Sequence, residues 1–145
     1  IQGAVMKFVS KRWGYELWIE NSRDYCGKHL HVVPDHWCSF HYHKNKKETF
    51  YVIGGELLLI YAPYSEQLAE EIKSSPSPRW DWTIGYPCPS TLYHQFTTKI
   101  LTKGDSLTIA PYTIHTFTSN TPSPCDFIEV STFHEDSDSV RIWNE

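Results

Sequence analysis

The run Cys38 to Glu48, C-S-F-H-Y-H-K-N-K-K-E, decides how the rest of the chain is read. His41 and His43 are two residues apart, so on a β-strand both rings project from one face. Lys44 to Lys47 form a short polar link, and Glu48 then opens an apolar run, Thr49 to Ile53. A turn that brings two imidazoles and a carboxylate to one place makes a ligand set for a divalent metal. Two same-face histidines also occur on solvated strands, so this spacing alone is not specific. A second segment further along gives it weight.

That segment is Gly104 to Asn120, G-D-S-L-T-I-A-P-Y-T-I-H-T-F-T-S-N. Paired with His41 to Gly54, H-Y-H-K-N-K-K-E-T-F-Y-V-I-G, it resembles the two-part signature of the cupin superfamily: H-x-H, then Glu and Gly, then after a gap G, P and H. The resemblance implies an all-β chain, a single-domain cupin β-barrel or jelly roll over residues 1–145. It also implies metal ligands at His41, His43, Glu48 and His115. The spacing departs by one extra residue between Gly104 and Pro111, and Ile114 replaces the usual small residue before the last histidine. Neither change touches a ligand.

Length and composition agree with this. A chain of 145 residues is one domain with room for a real core, and 15% aromatic content suits a β-rich interior. The net charge of -4 comes with no concentration of basic residues, which argues against nucleic acid and anionic membrane surfaces as partners. No apolar stretch approaches the roughly 20 residues of a membrane-spanning helix. The start lacks the layout of a secretory signal, and residues 1–5 read as a cloning remnant ahead of a natural start at Met6. Cys26, Cys38, Cys88 and Cys125 form no C-x-x-C pair and read as reduced thiols, Cys26 and Cys38 as small core residues. The expectation is a cytoplasmic protein.

In chain order, strands are expected over Val5 to Val9, Gly14 to Glu20 and Tyr25 to Val33. In the last of these Lys28, Leu30 and Val32 share one face, leaving His29 and His31 on the other as surface or interface residues. Cys38 to His43 follows, and then Glu48 to Ile53 and Glu56 to Tyr61, which read as a hairpin around Gly54-Gly55. Regular alternation resumes at Lys99 to Thr102, Ser106 to Ala110, Thr116 to Ser119 and Asp126 to Phe133. About ten short strands with almost no helix is the pattern of a sandwich or barrel. The insertion at 62–98 interrupts it. Leu68, Ala69 and Ile72 fall on one face of a short helical stretch, and Trp80, Trp82, Tyr86 and Tyr93 follow in an aromatic, proline-broken run. Either a surface excursion or a lid over a pocket satisfies that pattern.

Three neutral imidazoles and a carboxylate suit one divalent transition metal, Mn, Fe, Co, Ni or Zn, and leave positions open for a substrate. Beyond these ligands, Arg12 to Tyr15 (R-W-G-Y), Tyr25 to Pro34 (Y-C-G-K-H-L-H-V-V-P) and Phe127 to Arg141 (F-I-E-V-S-T-F-H-E-D-S-D-S-V-R) resemble the cupin domain of type II mannose-6-phosphate isomerases and related sugar isomerases. That resemblance implies aldose–ketose isomerisation of a sugar or sugar phosphate through an enediolate. The proton shuttle it needs has candidates in Glu129, His134 and Glu48 itself, and Lys28 or Arg141 would hold a phosphate or polarise an oxygen. No Gly-rich phosphate loop is present, so free and phosphorylated sugars both stay open. The same ligand set serves cupin dioxygenases and oxidases, and a non-catalytic sugar-binding cupin is a third possibility. His36 falls in a turn and His94 in the insertion. Exposed sheet edges and the aromatic N-terminal strands point to a homodimer.

Overall fold

The computed structural model describes residues 6–74 and 90–142. The first three strands, β1 (Lys7–Lys11), β2 (Gly14–Asn21) and β3 (Cys26–Val32), form an antiparallel meander. Next come β4 (His41–His43), β5 (Glu48–Gly54), β6 (Leu57–Pro63) and the helix α1 (Glu66–Ser74). After a 3₁₀ turn at Ser90–Gln95 the chain runs through β7 (Thr97–Leu101), β8 (Ser106–Ile109), β9 (Thr113–Ser119), β10 (Cys125–Ser131) and β11 (Ser139–Arg141). A six-stranded sheet has the order β1-β2-β3-β10-β5-β8, and it faces a five-stranded sheet of order β11-β4-β9-β6-β7. The all-β expectation holds. No described helix is long and apolar enough to cross a membrane.

The alternation read from the sequence explains the packing. On β3, Lys28, Leu30 and Val32 are buried, while His29 and His31 face outward, each 2.8–2.9 Å from Asp126 Oδ1. The inward side chains of both sheets meet in a core of Leu30, Val32, Phe50, Leu59, Phe117 and Phe127. Phe50 and Phe127 have ring centroids 4.8 Å apart, and Trp13 stands edge-on to Phe117 at 5.2 Å, geometries that add to simple burial. Trp13 is placed by its neighbour: Gly14 has φ +146°, and a Cβ there would strike the His31 backbone carbonyl. The W-G pair is thus an anchor between β2 and β3.

Two expectations are corrected. Gly54-Gly55 is not a hairpin turn. β5 pairs with β10 and β8, whereas β6 pairs with β9 and β7, so the two glycines carry the chain from one sheet to the other. Gly55 has φ +74°, and a Cβ on it would lie 2.6 Å from the Pro124 carbonyl oxygen, so the crossing passes tightly against the start of β10. β9 begins at Thr113 rather than Thr116, because Thr113 to His115 continue the pairing with β6; the last histidine of the motif lies within a strand. Ser139 to Arg141 add a further strand, β11, which pairs with β4.

The insertion is corrected in part. Ser65 caps α1, its Oγ accepting the Leu68 backbone N–H at 3.0 Å. Leu68, Ala69 and Ile72 pack on Phe40, Ala62 and Ile114, on the outer face of the five-stranded sheet. Tyr93 and Leu92 join the same cluster, so Tyr93 shields that face instead of walling a pocket. Trp80, Trp82 and Tyr86 lie outside the described residues, as does Cys88. Cys26, Cys38 and Cys125 are buried free thiols.

Gly55→Ala is expected to cost about 2 kcal/mol or more, from the left-handed backbone and the contact with Pro124. Thermal unfolding checks it: the midpoint should fall by roughly 5 °C or more, and an unchanged midpoint would show that the crossing tolerates a side chain.

Candidate metal centre

β4 and β9 are neighbours in the five-stranded sheet, with His41 directly opposite His115. β5 reaches the same place from the other sheet and delivers Glu48 at its first residue. Ring centroids are 4.2 Å apart for His41 and His115, 5.1 Å for His41 and His43, and 5.8 Å for His43 and His115. One donor atom from each of His41, His43, Glu48 and His115 lies within 4.8 Å of all the others. Glu48, His43 and His115 are buried, at 2%, 5% and 0% exposure.

The hydrogen bonds around the set fix what it offers. His41 Nδ1 lies 2.8 Å from the Ser39 carbonyl oxygen, and His115 Nδ1 lies 2.8 Å from that of Thr113. A carbonyl only accepts, so both Nδ1 atoms carry the proton and both Nε2 atoms turn a lone pair toward the cluster. His115 Nε2 and Glu48 Oε1 sit 2.9 Å apart, yet neither makes a directed hydrogen bond. Two buried lone pairs at that separation need positive charge between them. Burial, with its imidazole neighbours adding to it, holds His41 well below the ordinary histidine pKa. Burial likewise takes His43 down to about 3. Burial works against an ionised Glu48, yet that carboxylate is held well below its usual pKa with the Lys46 ammonium beside it. Three neutral imidazoles around a carboxylate fit a divalent ion with nitrogen and oxygen preference.

The set opens into a cavity of about 900 Å³ between the sheets. Every other site residue expected from the sequence lines it: Lys28, Glu129, His134 and Arg141. Glu129 is 4% exposed and lies on β10 opposite Lys28 on β3. Burial and the nearby Glu48 raise the Glu129 pKa, against the pull of Lys46 and Lys28. His134 Nε2 donates to Asp136 Oδ1 at 3.0 Å, which leaves Nδ1 as the acceptor. Burial together with the Lys28 and Lys46 charges lowers the His134 pKa. Lys28 is 2% exposed, 3.8 Å from Glu16 and 4.2 Å over the Trp18 ring. Arg141 is exposed at the rim, opposite His41 across the β4–β11 pair. His29 and His31 are on the other side of their sheet and take no part.

Lys46 is the residue the sequence reading missed, taken there as part of a polar corner. It is 3% exposed, and its Nζ lies 3.1 Å from Glu48 Oε2, 3.1 Å from Glu129 Oε2 and 3.2 Å from His134 Nδ1. Burial lowers its pKa, but Glu129 and Glu48 outweigh this and raise it. The sequence carried no signal for it: of Lys44, Asn45, Lys46 and Lys47, similar in polarity, the fold buries only Lys46.

A family model described as D-lyxose isomerase matches residues 7–143. A search of curated proteins gives no match. Among solved structures, the oxalate decarboxylase of Lactobacillus farciminis is 13% identical over 94% of this chain and 33% of its own, with a TM-score of 0.64. The capsular polysaccharide assembling protein CapF of Staphylococcus aureus is 11% identical over 96% of this chain and 32% of its own, with a TM-score of 0.67. The oxalate decarboxylase of Bacillus subtilis, described with Mn(II) centers, is 15% identical over 93% of this chain and 29% of its own, at 0.64. The chain spans about a third of the length of these structures, and at such identities the likeness is one of fold.

His115→Ala is expected to lower divalent-metal content to background in metal analysis of the purified protein, while the far-ultraviolet dichroism stays that of the wild type. A variant that keeps its full metal content would remove His115 from the ligand set.

Proposed function

The chain belongs to the D-lyxose isomerase family, and from that premise we propose that it is a metal-dependent cupin sugar isomerase, interconverting an aldose and its 2-ketose. The observation that carries this is the buried Glu129–Lys46 pair, set beside the three-histidine, one-glutamate cluster inside one cavity. His41, His43, Glu48 and His115 would hold a divalent ion such as Mn, Fe, Co, Ni or Zn. When bound, such an ion polarises the oxygens at C1 and C2 as a Lewis acid. The protein supplies the proton chemistry.

Glu129 is suited to be the base that takes the C2 proton of the aldose and returns it to C1. The C2–H bond breaks as the Glu129 O–H bond forms, the reverse exchange makes the new C1–H bond, and the hydroxyl proton of O2 passes to O1. C1 is reduced and C2 oxidised, with no external electron carrier. A carboxylate whose pKa burial has raised is a better base than one in water. Lys46 fixes the orientation of that carboxylate and donates from the same ammonium toward His134. Lys28, held over Trp18, is placed to hydrogen-bond a sugar oxygen.

The substrate class has a second reading in the rim. Lys7, Lys11, Arg12 and Arg141 all line the cavity mouth, while the acidic groups there are Glu16 and Asp136. A surplus of cations on a chain of net charge -4 favours an anionic group on the sugar, so phosphorylated aldoses belong in the test beside free ones.

We also propose a homodimer through the outer face of the six-stranded sheet. Outward side chains there include Phe8 at 60% exposure, Val130 at 52% and Tyr51 at 46%. Among the described residues, the outward positions of this face carry no lysine or arginine, and Asp126 is already paired with His29 and His31. A second copy would meet a largely apolar surface like its own, on which Glu20 and Asp126 are the outward acids.

The decisive experiment loads the protein with each divalent metal and screens pentoses, hexoses and their terminal phosphates for aldose–ketose exchange. Oxygen uptake without isomer formation would move the chain to the oxidase class, and binding without turnover to the sugar-binding class. Glu129→Gln should lower kcat by roughly 10²-fold or more at unchanged metal content; near-wild-type turnover would exclude it as the base. In light scattering the wild type should have twice the chain mass and Tyr51→Lys/Val130→Lys the mass of one chain. A double variant that stays dimeric would place the interface elsewhere.

A further inference from the structure

The segment after β10 contains a carboxylate that neither the ligand set nor the proton transfer uses. Asp138 is 6% exposed. Its Oδ1 accepts the Asn45 backbone N–H at 2.8 Å, and its Oδ2 accepts the Lys46 backbone N–H at 3.0 Å. Its carbonyl oxygen accepts a third, the Lys44 N–H, at 3.2 Å. One residue therefore holds three successive amides of the turn between His43 and Glu48. Asp138 is itself anchored, donating its own N–H to the Glu135 carbonyl at 3.0 Å, while the adjoining β11 pairs with β4.

Of the four residues in that turn only Lys46 is buried. Lys46 has a long, freely rotating side chain, and its ammonium must meet Glu48, Glu129 and His134 together. Three contacts on one flexible group are kept only if the backbone beneath it does not move. A serine or asparagine would satisfy one turn amide; a buried carboxylate holds two neighbouring ones with charge-assisted hydrogen bonds. In the D-x-V-R end of the chain, the arginine lines the cavity and the aspartate clamps the turn.

We propose that Asp138 is a positioning residue for the acid–base pair: by clamping the 44–46 turn it sets the Lys46 ammonium between Glu48 and Glu129 and so orients the Glu129 carboxylate. Its kinetic consequence rests on the isomerase reading; its effect on Lys46 does not.

The test uses the full chain loaded with metal, as wild type, Asp138→Asn and Asp138→Ala. Each is treated with an amine-acylating reagent, and labelling is read lysine by lysine by mass spectrometry. Lys46 is expected to go from protected to labelled about tenfold faster or more in Asp138→Ala, with a smaller rise in Asp138→Asn, while Lys28 keeps its wild-type rate and metal content is unchanged. In turnover, kcat should fall about tenfold with KM within about twofold, and Asp138→Asn should add nothing in a Lys46→Met background. Unchanged Lys46 labelling in both variants overturns the proposal. A uniform rise across all lysines also overturns it, by showing general loosening instead of a local clamp. Should the wild type turn over no sugar, the isomerase reading fails, and the labelling pattern still decides the role of Asp138.

Discussion

Lys46 stands 3.1 Å from both Glu48 and Glu129, with all three side chains almost fully buried. Two carboxylates in a poorly solvated interior repel one another and lose hydration, and a buried charge is tolerated only when it is paired and hydrogen-bonded. The shared ammonium meets that requirement for both. It lets Glu48 remain ionised beside the histidines while Glu129, a short distance further in, has its proton affinity raised. Two acids in one cavity thereby acquire different tasks from their surroundings. Remove the ammonium and both ends of the site change together, since both carboxylates share it as their counter-charge.

The fold makes this possible by bringing opposite sheets to one end of the sandwich. Glu48 and Glu129 come from adjacent strands of the six-stranded sheet, and His41, His43 and His115 from adjacent strands of the other. The phenylalanine core around Phe50, Phe117 and Phe127 fills the space behind them. Cupins as different as an oxalate decarboxylase and the capsule protein CapF share the architecture. Chemistry is decided by which side chains ring the cavity, here by Lys46, Glu129 and Lys28.

Much of this was legible in the sequence, and the failures have a common cause. Alternation is a local property, so the inward face of β3 and the apolar face of α1 could be read directly from Lys28-Leu30-Val32 and Leu68-Ala69-Ile72. The ligand set was legible because H-x-H and the distant Pro-Tyr-Thr-Ile-His segment form a joint pattern. Pairing between strands is not local. Gly54-Gly55 carries a hairpin's composition, but Leu57 finds Ser119 and Leu101 as partners and leaves β5 to β10. Lys46 was hidden for a similar reason: in a run of three lysines and an asparagine, only the carboxylates waiting in the fold single out the one that turns inward. Ser139 to Arg141 carry no local strand signal of their own, and only β4 makes them a strand.

That tail has a consequence for how the site comes into being. The four histidine and glutamate donors are all synthesised by His115, and the core that supports them is complete with β10. The clamp on the 44–46 turn, the partner of His134 and the arginine at the rim all follow β10, between Asp136 and Arg141. A chain clipped after Ser131 would keep His41, His43, Glu48 and His115 yet lose the three Asp138 contacts that hold the turn beneath Lys46.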